Sequence, residues 1–364
     1  MVDIVSAVSN VIAKARGGVA DLRRMPRDPV AALPIGTLHR YRPLSGVQRA
    51  PGPPVLLVPP LGAPDFAYDL RRGCSLVEHL LAMGRTVYLV DYGAISFAER
   101  RLGMEHWVDE VVPAAVRAAV ADSHRETAGN GGRAPRPADD VHLVGWSLAG
   151  VFSLLAVAAA VDARDPLPVR TITAIGSPVD ISAVPLVAPL RPLAAVTGGR
   201  GLSAVYRTIG TFPAPLVSAA FHLTAVDRLV TKPLTLLSNI DDRDCLAQIE
   251  AVDHLMKNMH GYPGRVFGQV FHLMLRNNDL SDGRLALAGR AIPLAAVNVP
   301  VLVVAGRDDV IAPLRSVQKV VDLLTAVPEV RFETAPGGHL GVLTGRRARG
   351  TTWTYLDTFL DDHA

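Results

Sequence analysis

Residues 144–150 read VGWSLAG, and this short stretch decides how the rest of the sequence is interpreted. The apolar run VHLV at 141–144 leads into it, and an Ala-, Leu- and Val-rich run suited to a helix follows. A serine between small residues at a strand-to-helix turn is typical of a nucleophile elbow, which exposes the serine hydroxyl. Gly145 and Ala149 provide those small residues. The pattern predicts Ser147 as a nucleophile; the alternative is an ordinary turn that happens to contain serine.

Strand and helix patterns alternate on both sides of this turn. Short apolar runs predict buried strands, and the longer amphipathic or apolar segments between them predict helices. The predicted strands lie at residues 55–58, 86–90, 141–144, 171–175, 301–305 and 330–334. Such alternation indicates an α/β fold, in which a mostly parallel sheet carries helices on both faces.

Residues 183–290 interrupt this alternation. Helix-like apolar stretches there are separated by recurring prolines, at positions 185, 189, 192, 213, 215 and 233. We therefore predict a mainly helical cap inserted into the α/β core. The chain divides into an N-terminal segment at 1–50, a first core part at 51–182, the cap at 183–290 and a second core part at 291–364.

A nucleophilic serine needs a histidine base, and the histidine needs a carboxylate that orients it. In folds with this elbow the chain order is serine, acid, histidine. Asp308 and Asp309 follow the strand at 301–305, so a carboxylate reaches the sheet edge where ligands bind. We prefer Asp309, and we select His339 in GGHLG, after the last predicted strand. Ser147, Asp309 and His339 form the predicted triad; a capping aspartate and a simple loop histidine are the alternatives.

Two backbone N–H groups are predicted to stabilise an oxyanion. The first belongs to Leu148, because it would open the helix after the serine. The second comes from the loop after the strand at 55–58, which reads PPLG at 59–62. Proline has no N–H group, so Leu61 is the first residue in that loop able to donate.

The overall charge gives little reason to expect nucleic acid as a partner. The net charge is +3 over 364 residues, although the pI is about 9.0. The basic run of Arg346, Arg347 and Arg349 is interpreted as a solvated turn rather than as a phosphate-binding site.

The cysteines and the apolar segments bear on location and cofactors. Cys74 and Cys245 are far apart and lack metal-ligand spacing, so we predict no metal, no cofactor and a reducing compartment. No secretory signal is recognisable, and the longest apolar run, at 148–161, is shorter than the about 18 residues of a membrane span. We therefore expect a cytoplasmic location.

One helical face near the N-terminus either docks on the body or contacts a membrane surface peripherally. This face carries Ile4, Val8, Val11, Ile12 and Ala15.

Several further segments carry a family resemblance, which covers roughly residues 50–345. In the first half they are VLLVPPLGAP at 55–64, YDLR at 68–71, SLV at 75–77 and VYLVDYG at 87–93. In the second half they are NDL at 278–280, GR at 289–290, the strand at 300–306, the residues at 309–313 and GGH at 337–339. With these pieces in this order the chain resembles the polyhydroxyalkanoate synthase branch of the α/β-hydrolases.

Two departures from that family affect the expected function. The family uses cysteine in a G-x-C-x-G elbow, whereas Ser147 stands here; the synthases also carry a substantial N-terminal domain, whereas about 50 residues precede the strand at 55–58. A serine acyl-enzyme is an oxygen ester with less drive for transfer back to a thiol. Serine therefore favours hydrolysis or transfer to an alcohol.

We accordingly expect a serine hydrolase, similar to esterases and lipases, that cleaves an acyl ester. The resemblance implies a small-molecule or lipid substrate with an apolar acyl chain. An acyltransferase or synthase-like enzyme using acyl-CoA is the alternative, and Arg191, Arg200 and Arg207 could then meet CoA phosphates, although exposed surface arginines are the plainer interpretation. A non-catalytic lipid-binding protein on the same scaffold is a third hypothesis. The sequence leaves the oligomeric state open.

Overall fold

A computed structural model describes residues 3–15, 17–95, 97–129, 138–184, 211–212 and 235–364. Its strands, in chain order, are β1 (Arg27–Ala32), β2 (Thr37–Tyr41), β3 (Val55–Val58), β4 (Val87–Asp91), β5 (Val141–Trp146), β6 (Val169–Ile175), β7 (Thr211–Phe212), β8 (Tyr262–Pro263), β9 (Arg284–Leu287), β10 (Arg290–Pro293), β11 (Val301–Gly306) and β12 (Val330–Ala335). Its α-helices are α1 (Ile4–Ala15), α2 (Leu76–Ala82), α3 (Met104–His106), α4 (Val112–Gly129), α5 (Leu148–Asp162), α6 (Arg243–Lys257), α7 (Gly264–Gln269), α8 (Leu314–Leu323), α9 (Gly341–Thr344) and α10 (Thr352–Asp362). Two of the described segments are π-helical, Trp107–Val111 and Val270–Arg276.

Eight of these strands form one sheet in the order β1-β2-β4-β3-β5-β6-β11-β12. Strand β2 is antiparallel to both of its neighbours, β1 and β4, and the pairs from β4 to β12 are parallel. Alternate residues of β3 enter two separate apolar layers: Leu56 and Val58 face one, Val55 and Leu57 the other. Helices α4, α5 and α8 cover the first layer, and α2 and α10 cover the second. The predicted α/β-hydrolase fold, with helices on both faces of a mostly parallel sheet, is confirmed.

The sheet begins earlier in the chain than the sequence predicts. Strands β1 and β2 lie within the segment taken as N-terminal, and β2 pairs with β4. They were missed because their residues do not alternate cleanly between buried and exposed. In addition β1 contains Pro29, where its register shifts, as is usual for proline on an edge strand.

The N-terminal helix α1 attaches to the body by its polar side. The Asn10 side chain donates to the Ile240 carbonyl at 2.9 Å. On the opposite side Val8, Val11 and Ile12 are 53%, 52% and 46% exposed. The helix therefore docks on the body, but not through these three apolar side chains, which stay about half exposed.

The described part of the predicted cap is mainly helical, with the short strands β7, β8 and β9, and it is ion-paired to the core. Arg71 and Arg349 both bind the Asp244 carboxylate, at 2.7 and 2.9 Å, and Arg346 binds Asp242 at 2.7 Å. Two members of the basic run are thus ion-paired to the start of α6 instead of being merely solvated. The rest of the cap, with its prolines and the three arginines considered for CoA, lies outside the described residues, and the cap boundaries stay a prediction.

Candidate active site

The parallel strands bring three loops to one edge of the sheet. In the register of the sheet Trp146 pairs with Ile175, Ile175 with Val304, and the last residue of β11 with the last residue of β12. The residues that follow these strands therefore emerge side by side. This edge carries Ser147, Asp309 and His339.

The turn at Ser147 is a strained elbow between β5 and α5. Ser147 has φ 57° and ψ −129°, and its N–H donates to the Ile175 carbonyl at 2.8 Å, which anchors the turn to β6. A non-glycine residue adopts positive φ only at a cost, so the fold must enforce this conformation. A β-carbon at Gly145 would lie 2.6 Å from the Gly150 nitrogen, so only glycine lets the strand and the helix approach this closely.

The three predicted side chains form one hydrogen-bonded chain. His339 Nε2 lies 2.8 Å from Ser147 Oγ, and His339 Nδ1 lies 2.8 Å from Asp309 Oδ2. If Nδ1–H donates to the carboxylate, Nε2 is left as an acceptor for the serine hydroxyl. The arrangement can move a proton from serine to imidazole while the carboxylate stabilises the imidazolium that forms.

Asp309 is held rigidly and away from solvent. Its Oδ1 accepts the backbone N–H groups of Ile311 and Ala312 at 2.9 and 2.8 Å, and its side chain is 0% exposed. Asp308 is exposed, and its Oδ2 accepts the Gly337 N–H at 3.1 Å. Asp308 therefore ties the loop of His339 in place, whereas Asp309 is the carboxylate that reaches the imidazole.

The two predicted oxyanion donors, the N–H groups of Leu61 and Leu148, lie at the same edge of the sheet as Ser147. Val58 of β3 pairs with Gly145 of β5, so the loop containing Leu61 lies beside the elbow. Leu148 is the first residue of α5, where an N–H group has no partner within its own helix. Among the described residues no backbone acceptor binds the N–H of Leu61. Both groups can thus serve a negatively charged oxygen.

Two supporting residues were not predicted. The Trp146 indole donates to the His339 carbonyl at 3.0 Å, and its ring centroid lies 5.2 Å from that of the imidazole. The Tyr68 hydroxyl donates to the Val58 carbonyl at 2.8 Å, where β3 leads into the Leu61 loop. Trp146 occupies a variable position of the elbow pattern, so the sequence offered no signal for it. Tyr68 stood inside a segment used only for its resemblance.

The described residues were also considered for metal ligands, for free cysteines and for membrane-spanning helices. No group of three or more His, Cys, Asp or Glu side chains there could hold a metal ion. Both cysteines are buried and free. Within the same residues, no helix is long and apolar enough to cross a bilayer.

Comparison with known proteins shows what the chain is similar to. No profile of a known protein family matches it. It is 25% identical over 326 residues to the poly(3-hydroxyalkanoate) polymerase subunit of Allochromatium vinosum, across 89% of this chain and 85% of that protein. It is 22% identical over 340 residues to the polymerase subunit of Thiocystis violacea, across 93% of this chain and 89% of that one. A solved esterase from Rhodococcus sp. ECU1013 superposes with a TM-score of 0.48 at 14% identity, covering 93% of this chain and 100% of that one.

The sheet, the elbow and the relatives agree with the resemblance seen in the sequence. The order of the strands and the turn between β5 and α5 establish the fold, and both relatives named above are poly(3-hydroxyalkanoate) polymerase subunits. The chain thus has an α/β-hydrolase fold, and in sequence it is similar to poly(3-hydroxyalkanoate) polymerase subunits.

Proposed function

We propose that the chain is a serine acyl hydrolase that cleaves an ester of an apolar acyl chain through an acyl-enzyme on Ser147. The observation that carries this proposal is the continuous chain of 2.8 Å contacts from Ser147 through His339 to Asp309. The oxygen nucleophile favours water or an alcohol as the acceptor, for the reason argued from the sequence. The sequence relatives support an acyl substrate.

In the first half-reaction His339 Nε2 takes the proton of Ser147 while Oγ bonds to the ester carbonyl carbon. The N–H groups of Leu61 and Leu148 stabilise the negative oxygen. The carbonyl re-forms, the bond to the alcohol breaks, and the alcohol leaves with the proton from the imidazole. Water then gives a proton to His339 and attacks the acyl-enzyme, which releases the acid and restores the serine hydroxyl.

A second candidate, acyl transfer from acyl-CoA, is favoured by the relatives themselves, which are named as poly(3-hydroxyalkanoate) polymerase subunits. The same acyl-enzyme would form with CoA as the leaving group, and an alcohol, such as the hydroxyl end of a growing ester, would accept the acyl group. The two candidates share every residue of the site. They differ only in the acyl donor and in the final acceptor.

One experiment tests the shared chemistry and separates the candidates. We expect a fluorophosphonate probe to label Ser147 in the wild type and to leave Ser147→Ala unlabelled. Turnover of p-nitrophenyl esters should fall by about 10³-fold or more in the variant. An unlabelled wild type, or a variant that keeps full turnover, would contradict the proposal. Free acid as the sole product from esters and from acyl-CoA supports hydrolysis; oligomeric or transferred esters from acyl-CoA support the second candidate.

We further propose that α1 contacts a lipid surface. Four of the exposed large apolar side chains lie on α1, namely Val5, Val8, Val11 and Ile12. An exposed apolar patch of this kind is unusual for a helix that faces only water. The cytoplasmic location stays a prediction from the sequence.

A further inference from the structure

The loop that carries Leu61 contacts the ring of Tyr262 at the next residue, Gly62. Gly62 follows Leu61 and has φ +86°. A β-carbon at position 62 would lie 2.5 Å from Tyr262 Cε2 and 3.2 Å from its hydroxyl oxygen. The ring is therefore in close contact with the Gly62 backbone, and a larger residue at that position would be strained and would displace the ring or the loop.

The same glycine is also held by a hydrogen bond from the predicted cap. The His260 N–H donates to the Gly62 carbonyl at 2.7 Å. Tyr262 itself is fixed by strand β8, where it pairs with Phe212 of β7, and its ring contacts the apolar layers on both faces of the sheet. Two contacts, one apolar and one polar, thus connect the cap to a single residue of the loop.

Tyr262 is well suited to fix the loop through its ring rather than through its hydroxyl. The ring is largely removed from water, and this burial raises the pKa of its hydroxyl far above the ordinary value, so the phenol stays neutral. Among the described residues none forms a hydrogen bond with the hydroxyl. The contact with Gly62 is therefore one of shape and packing.

We propose that Tyr262 is a positioning residue whose ring holds the loop at Gly62 so that the neighbouring Leu61 N–H points at the developing oxyanion. This inference rests on the proposed acyl-enzyme chemistry. A donor stabilises a transition state only if it is oriented in advance, and a displacement of about 1 Å can lower a rate roughly 100-fold. Loss of the ring should therefore lower kcat more than it changes KM.

The test compares the wild type with Tyr262→Phe, Tyr262→Leu and Tyr262→Ala. Phe271→Ala is the matched control, because Phe271 is a half-buried aromatic residue of the same cap segment. The measurements are kcat and KM on a soluble p-nitrophenyl ester and the rate at which a fluorophosphonate labels Ser147. Circular dichroism establishes that each variant is folded at the assay temperature.

We expect kcat and the labelling rate to depend on the ring of Tyr262 and not on its hydroxyl. Tyr262→Phe should keep at least about half of kcat and of the labelling rate. Tyr262→Ala should lose about 10- to 100-fold in both, and Tyr262→Leu should lie between them, with KM within about threefold throughout. Phe271→Ala should behave as the wild type does.

Three results would overturn this inference while leaving the proposed function intact. They are full kcat and labelling in folded Tyr262→Leu or Tyr262→Ala, a change confined to KM, and a Tyr262→Phe variant as impaired as Tyr262→Ala. A wild type that is neither labelled nor active on esters or acyl-CoA would instead overturn the proposed function and this inference together.

Discussion

At the scale of single residues, the site depends on which of two adjacent carboxylates reaches the imidazole. Asp308 and Asp309 follow the same strand, and the sequence could rank them but not separate them. The turn after β11 buries Asp309 under two backbone N–H groups and leaves Asp308 in solvent. Both aspartates then serve the histidine loop, one by contact with the ring and the other by contact with its backbone.

This difference predicts unequal effects of the same substitution. Asp309→Asn should lower kcat by about 10³- to 10⁴-fold, because an amide in that place favours the wrong imidazole tautomer and cannot stabilise the charged ring. Asp308→Asn keeps an oxygen that can accept the Gly337 N–H, so its kcat should stay within about fivefold of the wild type. Steady-state kinetics of the two variants on one ester decides the matter. If the two variants lost equal amounts of kcat, or if Asp308→Asn lost more, the assignment of Asp309 as the carboxylate of the triad would be wrong.

At the scale of elements, β5 leads into the turn of Ser147 at its end and has a buried polar residue near its start. His142, its second residue, is fully buried, and its Nδ1 lies 2.9 Å from Thr171 Oγ1. Burial, aided by the positive charges of Arg85 and Arg170, lowers the pKa of His142 to about 3. The ordinary value is 6.5. The native strand therefore requires the neutral imidazole.

The lowered pKa predicts that stability falls with acidity. Because the folded-state pKa lies below the unfolded value, this stabilisation is present above about pH 6.5 and is lost as the pH falls towards 3. Between pH 7 and pH 5 the free energy of unfolding should fall by about 2 kcal/mol on this account. Urea denaturation at both pH values should show that the free energy of unfolding falls less for His142→Asn than for the wild type, because asparagine does not titrate. Parallel losses in the two proteins would count against a neutral buried His142.

At the scale of the whole molecule, the sheet, the cap and α1 are connected through a few polar contacts. Three core arginines bind the start of α6, and Asn10 attaches α1 to the chain just before it. The apolar side of α1 is left outside these contacts. A surface exposed in this manner can bind a lipid layer without any change in the fold.

Sedimentation with phosphatidylcholine–phosphatidylglycerol vesicles checks the role of α1. The double variant Val8→Asp/Ile12→Asp should bind at least about 10-fold more weakly, since each apolar side chain contributes about 1.5 kcal/mol or more when it leaves water. Its unfolding midpoint should not change, because both side chains are exposed. Val47→Asp, at an exposed apolar residue elsewhere, is the control. No vesicle binding by the wild type, or equal binding by both variants, would exclude this contact.

Much of the core could be predicted because its signals are local. The six predicted strands are present within one or two residues of their predicted bounds. Strands β1 and β2 and the π-helical turn at Trp107–Val111 were not predicted. Bulged strands at a sheet edge and π-helical turns both depend on neighbours that are distant in sequence. No local sequence pattern therefore predicts them.

The sequence by itself determined the alternation of strands and helices, the elbow around Ser147 and the chain order of serine, acid and histidine. It could do so because small residues at a tight turn, apolar runs and missing proline N–H groups act over a few neighbouring positions. Only the tertiary structure decided that Asp309 rather than Asp308 meets His339, that Trp146 and Tyr68 support the site, and that Tyr262 lies on Gly62. These contacts join residues far apart in the chain, so they exist only once the parallel strands have brought their ends to one edge.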